Sequence, residues 1–165
     1  MDISRQDPGN QDLVNVFIES EKGSKSYYKY DKKTGMFKLK KVLGIPFPGS
    51  FGFVPKTHHV DAESLDVLIL VSDSLQQGIV VEARPIGMIR LKAEIPDEVV
   101  IAVSVADKEY EKINDLAEVG EETVKSLKKF LEEFKGMKTD NVFGKEHAKK
   151  AVRRSIELYQ RSMRP

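Results

Sequence analysis

The hydrophobic pattern of this chain changes its period once, near residue 106, and that change restricts the possible folds most. Before it, short segments rich in β-branched and aromatic residues alternate with turn residues, as in the apolar run 65–71 and the longer segment 78–94. After it, apolar residues recur every three or four positions in 121–135 and in 144–162, which is the period of an amphipathic helix. Several strands followed by two helices predict an α+β fold: a small closed, OB-like β-barrel with two C-terminal amphipathic helices packed outside.

Turn residues divide the strand-rich part. Segment 26–42 alternates on both sides of DKKTG and predicts a hairpin. Pro85 and Gly87 predict a bend or a bulge inside segment 78–94. The stretch GIPFPGSFGFVP, 44–55, predicts a structured loop with short extended pieces.

Length and composition indicate one ordinary globular domain. The chain has 165 residues, which predicts a single domain over 1–165 whose first twelve residues are polar and loosely held. A formal net charge of +1 gives no electrostatic case for nucleic acid or a membrane surface as a partner. There is no cysteine, which excludes disulfides and thiolate metal sites. No signal-like segment opens the chain and no apolar run approaches the length of a membrane span, so we expect a cytoplasmic protein.

Carboxylates gather where the apolar run 65–71 begins. Asp61, Glu63 and Asp66 stand within six positions, and Asp97 and Glu98 precede the next β-rich run. Strand ends are rigid mounts for ligands, and carboxylate oxygens suit a hard cation such as Mg²⁺. Solvated loop acids would show the same spacing, so both interpretations remain open from the pattern alone.

Two other groups carry weaker signals. The hairpin interleaves lysines with tyrosines, which can bind single-stranded nucleic acid, although a solvated hairpin suits the near-neutral total charge better. His58 and His59 adjoin the acidic cluster, but neighbours in an extended segment point to opposite faces, which argues against one shared metal. We expect these histidines at a surface or a subunit interface.

Motifs in order along the chain resemble the family I soluble inorganic pyrophosphatases. The matching stretches are FIE with Glu19, YYKYDKKTG, FPGSFGFVP, DAESLDVLI, RPIGMI, DEVVIAV and FLEEFKGMK, spread over roughly Val14 to Ile156. The resemblance implies a barrel of the pyrophosphatase type and hydrolysis of pyrophosphate to two phosphates with Mg²⁺ (or Mn²⁺). It also implies a homo-oligomer, with a hexamer as one form.

The resemblance also implies roles for individual residues. Glu63 stands where the family has an aspartate that helps to activate water, so it is the candidate catalytic residue. Lys41, in place of an arginine, and Lys135 are the candidate substrate-binding residues. The candidate metal ligands are Asp61, Asp66, Asp97 and Glu19.

Several positions depart from the family pattern. Phe47, Phe51 and Phe134 replace tyrosines, Lys29 replaces a glutamate, and Tyr27 and Val99 replace phosphate-binding lysines. Each lost charge-assisted contact costs about 1.5–3 kcal/mol. We therefore expect weakened hydrolysis; the alternative is a non-catalytic homologue that binds a metal or an anion, or serves as an oligomeric assembly protein.

Overall fold

Residues 3–60 and 63–164 are described by the computed structural model, and their strands and helices follow the predicted order. Short 3₁₀ helices span Ile3–Arg5, Lys108–Tyr110 and Leu116–Val119. The strands and α-helices are β1 (Val14–Ser20), β2 (Ser26–Asp31), β3 (Met36–Val42), β4 (Ser50–Val54), β5 (Leu65–Leu70), β6 (Val80–Leu91), β7 (Asp97–Ser104), α1 (Glu121–Lys135), β8 (Thr139–Gly144) and α2 (Lys145–Ser162).

Five of the strands close into a ring. They pair in the order β1-β4-β5-β7-β6, and β6 pairs again with β1 to complete the circle, while β8 pairs with residues 87–91 of β6, on the same edge as β1 and opposite β7. Strands β5 and β7 run parallel, whereas the other neighbours in the ring are antiparallel. The hairpin β2–β3 forms a separate two-stranded sheet. The predicted α+β barrel is confirmed.

Two apolar clusters lie on the two faces of the ring. One takes a residue from each ring strand, including Val16, Val54, Val67, Val81 and Val100, and therefore lies inside the barrel. The other joins outward residues of β4–β7 to the buried stripe of α1, which comprises Leu127, Phe130, Leu131 and Phe134. Alternation along a strand sends neighbours to opposite faces, so the even positions of β5 and the odd positions of β7 lie under α1.

The predicted irregularity in β6 is confirmed as a bulge. The pairing of β6 with β7 shifts register between Pro85 and Gly87. A Cβ on Gly87 would stand 2.6 Å from the Cβ of Leu116, so the missing side chain lets the 3₁₀ helix 116–119 approach the strand closely.

Some described segments lie outside the sequence prediction. TDNVFG forms β8 although Asp, Asn and Gly disfavour strands, because β6 offers it an edge to pair with. Ile3 and its neighbours, in the stretch predicted to be loose, do make contacts: Ile3 is buried beside Phe17 and Phe53, and Gly9 bridges to Val14. None of the described helices is long and apolar enough to cross a bilayer.

Candidate functional site

A cleft of about 850 Å³ opens between the hairpin β2–β3 and the beginnings of β5 and β7. Acidic, basic and aromatic side chains share its lining. The acidic ones are Glu19, Asp31, Glu63, Asp66, Asp97 and Glu98, and the basic ones are Lys29, Lys32, Lys33, Lys38, Lys40, His59 and Lys135. Most of the predicted site residues thus meet in one place.

Asp66 and Asp97 come together because β5 and β7 are parallel neighbours. The strands begin at the same edge, Asp66 pairs with Val99, and Asp97 lies two residues before Val99 on the same face. Asp66 and Asp97 are 31 positions apart in the sequence. Both carboxylates point to the side of the sheet that α1 covers.

Lys135 inserts its ammonium between these two carboxylates. Its Nζ lies 2.9 Å from Oδ2 of Asp66 and 3.1 Å from Oδ2 of Asp97. Lys135 is the last residue of α1, which ends at a left-handed Gly136 with φ of 69°. Burial alone would lower the pKa of Lys135, but the charges and hydrogen bonds of the two aspartates outweigh it and raise that pKa well above its ordinary value.

Glu19 supplies a buried carboxyl group on β1. Its side chain is 1% exposed, and Oε2 accepts the backbone N–H of Tyr30 at 2.8 Å. Burial raises the pKa of Glu19 from 4.5 to about 7, which the hydrogen bond from Tyr30 only partly opposes. Near neutral pH this group is therefore divided between its protonated and ionised forms.

Glu98 organises a second ionic group that sequence reasoning missed. One carboxylate oxygen lies 2.8 Å from Nε2 of His59, and the other accepts from Nε of Arg90 at 2.9 Å. The hydrogen bond with His59, opposed by burial and reinforced by Arg90, lowers the pKa of Glu98. Arg90 and Glu98 are cross-strand partners in β6 and β7. Arg90 and Glu98 lie equally far from the turn that joins β6 to β7. This spacing could have predicted from the sequence that the two side chains pair.

The remaining predicted site residues have different positions. Glu63 lines the cleft, and its carbonyl accepts the backbone N–H of His59 at 2.7 Å. Lys41 does not line the cleft; its Nζ donates to the carbonyl of Phe134 at 2.9 Å, at the C-terminal end of α1. Asp61 lies outside the described residues.

The donor chemistry of the paired aspartates fits Mg²⁺, which takes oxygen ligands. Within 3–60 and 63–164, no three histidine or acidic side chains are grouped closely enough to hold a metal ion by themselves. Asp66 and Asp97 nevertheless already hold one cation, the ammonium of Lys135, between their oxygens. The described residues therefore provide part of a cation site, namely the two convergent carboxylates of Asp66 and Asp97.

Aromatic and aliphatic side chains pack next to Lys135, and of these Tyr27 lines the cleft. The rings of Phe51 and Phe134 stand edge to face 5.1 Å apart, and Tyr27 packs against Phe134 at 4.7 Å. Phe47 is 1% exposed and Val99 is fully buried in the same cluster. These side chains contribute packing and no positive charge at this end of the cleft.

Comparisons with known proteins agree on one family. The family model described as inorganic pyrophosphatase matches residues 16–160. The chain is 32% identical to soluble inorganic pyrophosphatase 1 of Arabidopsis thaliana over 92% of this chain and 76% of that protein. It is also 32% identical to an inorganic pyrophosphatase of Haloferax volcanii, over 93% and 92% of the two chains. The crystal structure of the inorganic pyrophosphatase from Thermus thermophilus superposes with a TM-score of 0.88 at 31% identity, covering 97% of this chain and 99% of that one.

Proposed function

This chain belongs to the inorganic pyrophosphatase family, and on that premise we propose that it hydrolyses pyrophosphate to two phosphates in the cleft beside β5 and β7. The observation that carries the proposal is the meeting of Asp66, Asp97 and Lys135 at one point. Opposite charges held on rigid strand starts and on a helix end can fix a divalent cation and a phosphoryl group side by side.

In the proposed reaction, a water oxygen forms a bond to one phosphorus while the bond from that phosphorus to the bridging oxygen breaks. Glu63 takes the proton of the attacking water, and the departing phosphate leaves with the bridging oxygen. Lys135 donates to phosphate oxygens and holds the substrate in line. Lys41, whose Nζ donates to the carbonyl of Phe134 outside the cleft, would have to leave that carbonyl to reach a phosphate oxygen as well. Mg²⁺ held by Asp61, Asp66, Asp97 and Glu19 would supply positive charge and an acidified water when bound.

We propose that this protein hydrolyses pyrophosphate more slowly than other members of the family do. Tyr27, Val99 and Phe134 form apolar packing beside the aspartates, so these three positions supply no cation to balance the charge that develops on the phosphates, and Lys135 is left to do so from the end of α1. Glu63 also reaches about one methylene further than the aspartate that the family resemblance leads us to expect. A displacement of about 1 Å at a reacting group can cost 100-fold in rate.

A phosphate-release assay with pyrophosphate and Mg²⁺ tests the activity. We expect two phosphates per pyrophosphate from the parent, and a loss of roughly 100-fold or more in Asp66→Asn, which keeps the shape but removes the charge. Asp140→Asn, on an exposed position of β8, is the matched control and should match the parent. Folded parent protein that releases no phosphate would refute the proposal and support the non-catalytic alternative.

Self-association and location complete the proposal. We place the protein in the cytoplasm as a homo-oligomer, with a hexamer as the form that the family resemblance implies. Light scattering at high micromolar concentration and cell fractionation test these two statements. A monomer in the first experiment, or a membrane or secreted fraction in the second, would contradict them.

A further inference from the structure

One wall of the cleft consists of lysines from the hairpin. We call Lys29, Lys32, Lys33, Lys38 and Lys40 the hairpin lysines; all of them line the cleft and all are exposed. They come from β2, β3 and the turn between these strands. None of them is a residue to which the proposed hydrolysis assigns a role.

Three of the acids across the cleft already have cationic partners. Asp66 and Asp97 share the ammonium of Lys135, and Glu98 is paired with Arg90. Two of these three negative charges are therefore compensated within the protein, while Glu19 and Glu63 line the cleft as further acids.

The hairpin lysines are compensated much less. Lys38 has an ion pair with Asp31 at 3.2 Å, and Lys32 donates to the hydroxyl of Ser64 at 2.7 Å. The side chains of Lys29, Lys33 and Lys40 have no hydrogen bond or ion pair within the described part of the chain. The uncompensated charge on this side of the cleft is thus positive.

The geometry of the hairpin brings these positive charges close together. Lys29 and Lys38 are direct cross-strand partners, and Lys40 follows on the same face of β3. Like charges directly opposite each other destabilise a strand pair. Burial lowers the pKa of Lys32, and repulsion from Lys29 lowers it further, while the charges of Glu19 and Glu63 only partly oppose this. An anion lying along this wall would relieve that repulsion.

We propose that the hairpin lysines form an anion subsite that extends the pyrophosphate site, so that the cleft binds linear inorganic polyphosphates of three or more phosphates in preference to pyrophosphate. The proposal rests on the proposed function only in placing one end of the chain of phosphates beside Lys135. A cleft of about 850 Å³ is far larger than pyrophosphate requires and falls in the range of sites for larger ligands.

The aromatic residues of the cleft favour an inorganic chain over a nucleotide. A nucleotide base would need an open ring to stack on. Lys32 covers Phe53 at 4.9 Å, Tyr30 stands edge to face on Phe17 at 4.8 Å, and Tyr27 is packed against Phe134. Each aromatic ring that lines the cleft in the described residues is already engaged in this way.

Calorimetric binding of tripolyphosphate and pyrophosphate, with a chelator and again with Mg²⁺, tests the proposal. We expect the parent to bind tripolyphosphate roughly tenfold or more tightly than pyrophosphate, because the added phosphate reaches further charge-assisted contacts. The triple variant Lys29→Gln, Lys33→Gln, Lys40→Gln should reduce this ratio to within about twofold. Raising the ionic strength should reduce it as well, because these charges are exposed.

Two controls keep the result interpretable. Lys108→Gln, Lys112→Gln, Lys150→Gln removes the same charge from exposed positions outside the cleft and should leave the ratio unchanged. The corresponding Lys→Arg triple at 29, 33 and 40 keeps the charge and should retain the preference. Equal affinities in the parent, an unchanged ratio in the Gln triple, or an equal loss in the outside control would overturn the proposal.

The binding experiment and the hydrolysis assay test the two proposals independently of each other. A tripolyphosphate preference that depends on the hairpin lysines, in a protein that releases no phosphate, would support the subsite and refute the hydrolysis. Phosphate release from pyrophosphate without any such preference would do the reverse.

Discussion

Lys135 holds a charge that is mostly shielded from water: its side chain is 18% exposed, and those of Asp66 and Asp97 are 23% and 25% exposed. Removing one member of a buried ionic group costs more than removing an exposed charge, because the remaining charges lose their partner without regaining full hydration. In this cleft, the remaining charges would be two carboxylates that repel each other. The stability of the site therefore depends on the same lysine that the resemblance assigns to substrate.

We expect Lys135→Gln to lower the free energy of unfolding by roughly 2 kcal/mol at neutral pH, less than for a fully buried group because water still reaches the cleft. Urea denaturation in metal-free buffer measures this change. The control is Lys125→Gln, whose partner Glu122 lies 3.8 Å away with both side chains exposed, and which should unfold like the parent. Equal effects of the two variants would mean that the ionic group in the cleft contributes no more to the free energy of unfolding than an exposed ion pair does.

Glu19 predicts a pH dependence of stability. Its pKa in the folded protein is about 7, above the ordinary value of 4.5, so the folded state binds the proton more tightly than the unfolded state does. The favourable contribution is complete below about pH 4.5 and is lost as the pH rises through 7. A shift of this size corresponds to roughly 3 kcal/mol.

Urea denaturation at pH 5 and pH 8, with a chelator present, tests this dependence. Glu19→Gln cannot ionise, so its stability should fall less than that of the parent between the two pH values. Glu82→Gln, an exposed glutamate on β6, is the control and should follow the parent. The same fall in the parent and in Glu19→Gln would show that Glu19 does not titrate in this range.

Among the elements, the segment between β7 and α1 depends on one side chain of β6. The Nη2 atom of Arg84 donates to the carbonyls of Tyr110 and Ile113 at 3.0 and 2.7 Å, and its Nε donates to Ile113 at 3.1 Å. A planar guanidinium can serve several carbonyls at once, which an ammonium on a flexible stem cannot do equally well. Arg84 thus secures the chain that leads into α1 and, through α1, positions Lys135.

We expect Arg84→Lys to cost about 1–2 kcal/mol of stability and to increase amide hydrogen exchange selectively in residues 108–116. Hydrogen exchange followed by mass spectrometry locates the change. Arg154→Lys, on the exposed side of α2, is the matched control. Exchange that rises uniformly over the whole chain would point to a global effect and not to a local anchor.

At the scale of the whole molecule, the ring of strands can close only if β1 and β4 approach each other closely. Phe17 of β1 pairs with Phe53 of β4, and Gly52 lies against this seam. A Cβ on Gly52 would stand 2.0 Å from the carbonyl oxygen of Phe17, which is backbone and cannot move aside cheaply. The barrel is closed at this point only because position 52 has no side chain.

Gly52→Ala should therefore destabilise the protein by more than about 3 kcal/mol or prevent folding, as measured by circular dichroism and thermal unfolding. Gly120→Ala is the comparison: a Cβ there meets nothing within 4 Å, and only its φ of +91° opposes a side chain. That strain costs about 1–3 kcal/mol. If the Gly52 variant were as stable as the Gly120 variant, the close approach of β1 to position 52 would not be what limits closure of the ring.

Local patterns in the sequence were enough to predict most of the elements. The 3.6-residue period predicted α1 at 121–135 and α2 to within one residue, because each helix is specified by its own apolar stripe. Alternation predicted the hairpin, and Pro85 with Gly87 predicted the bulge of β6. The order of motifs was sufficient to predict the family, and the family model that matches residues 16–160 confirms that prediction.

Only the tertiary structure decided which of these residues meet. Asp66 reaches Asp97 through a parallel strand pair, and Lys135 reaches both from the end of α1, which no local pattern encodes. Strand β8 likewise forms because the edge of β6 stabilises it, despite its weak strand propensity. The physical reason is that the apolar stripe of a helix and the alternation of a strand are set by near neighbours in the chain, whereas strand order, register and an edge strand such as β8 depend on the free energy of the whole chain.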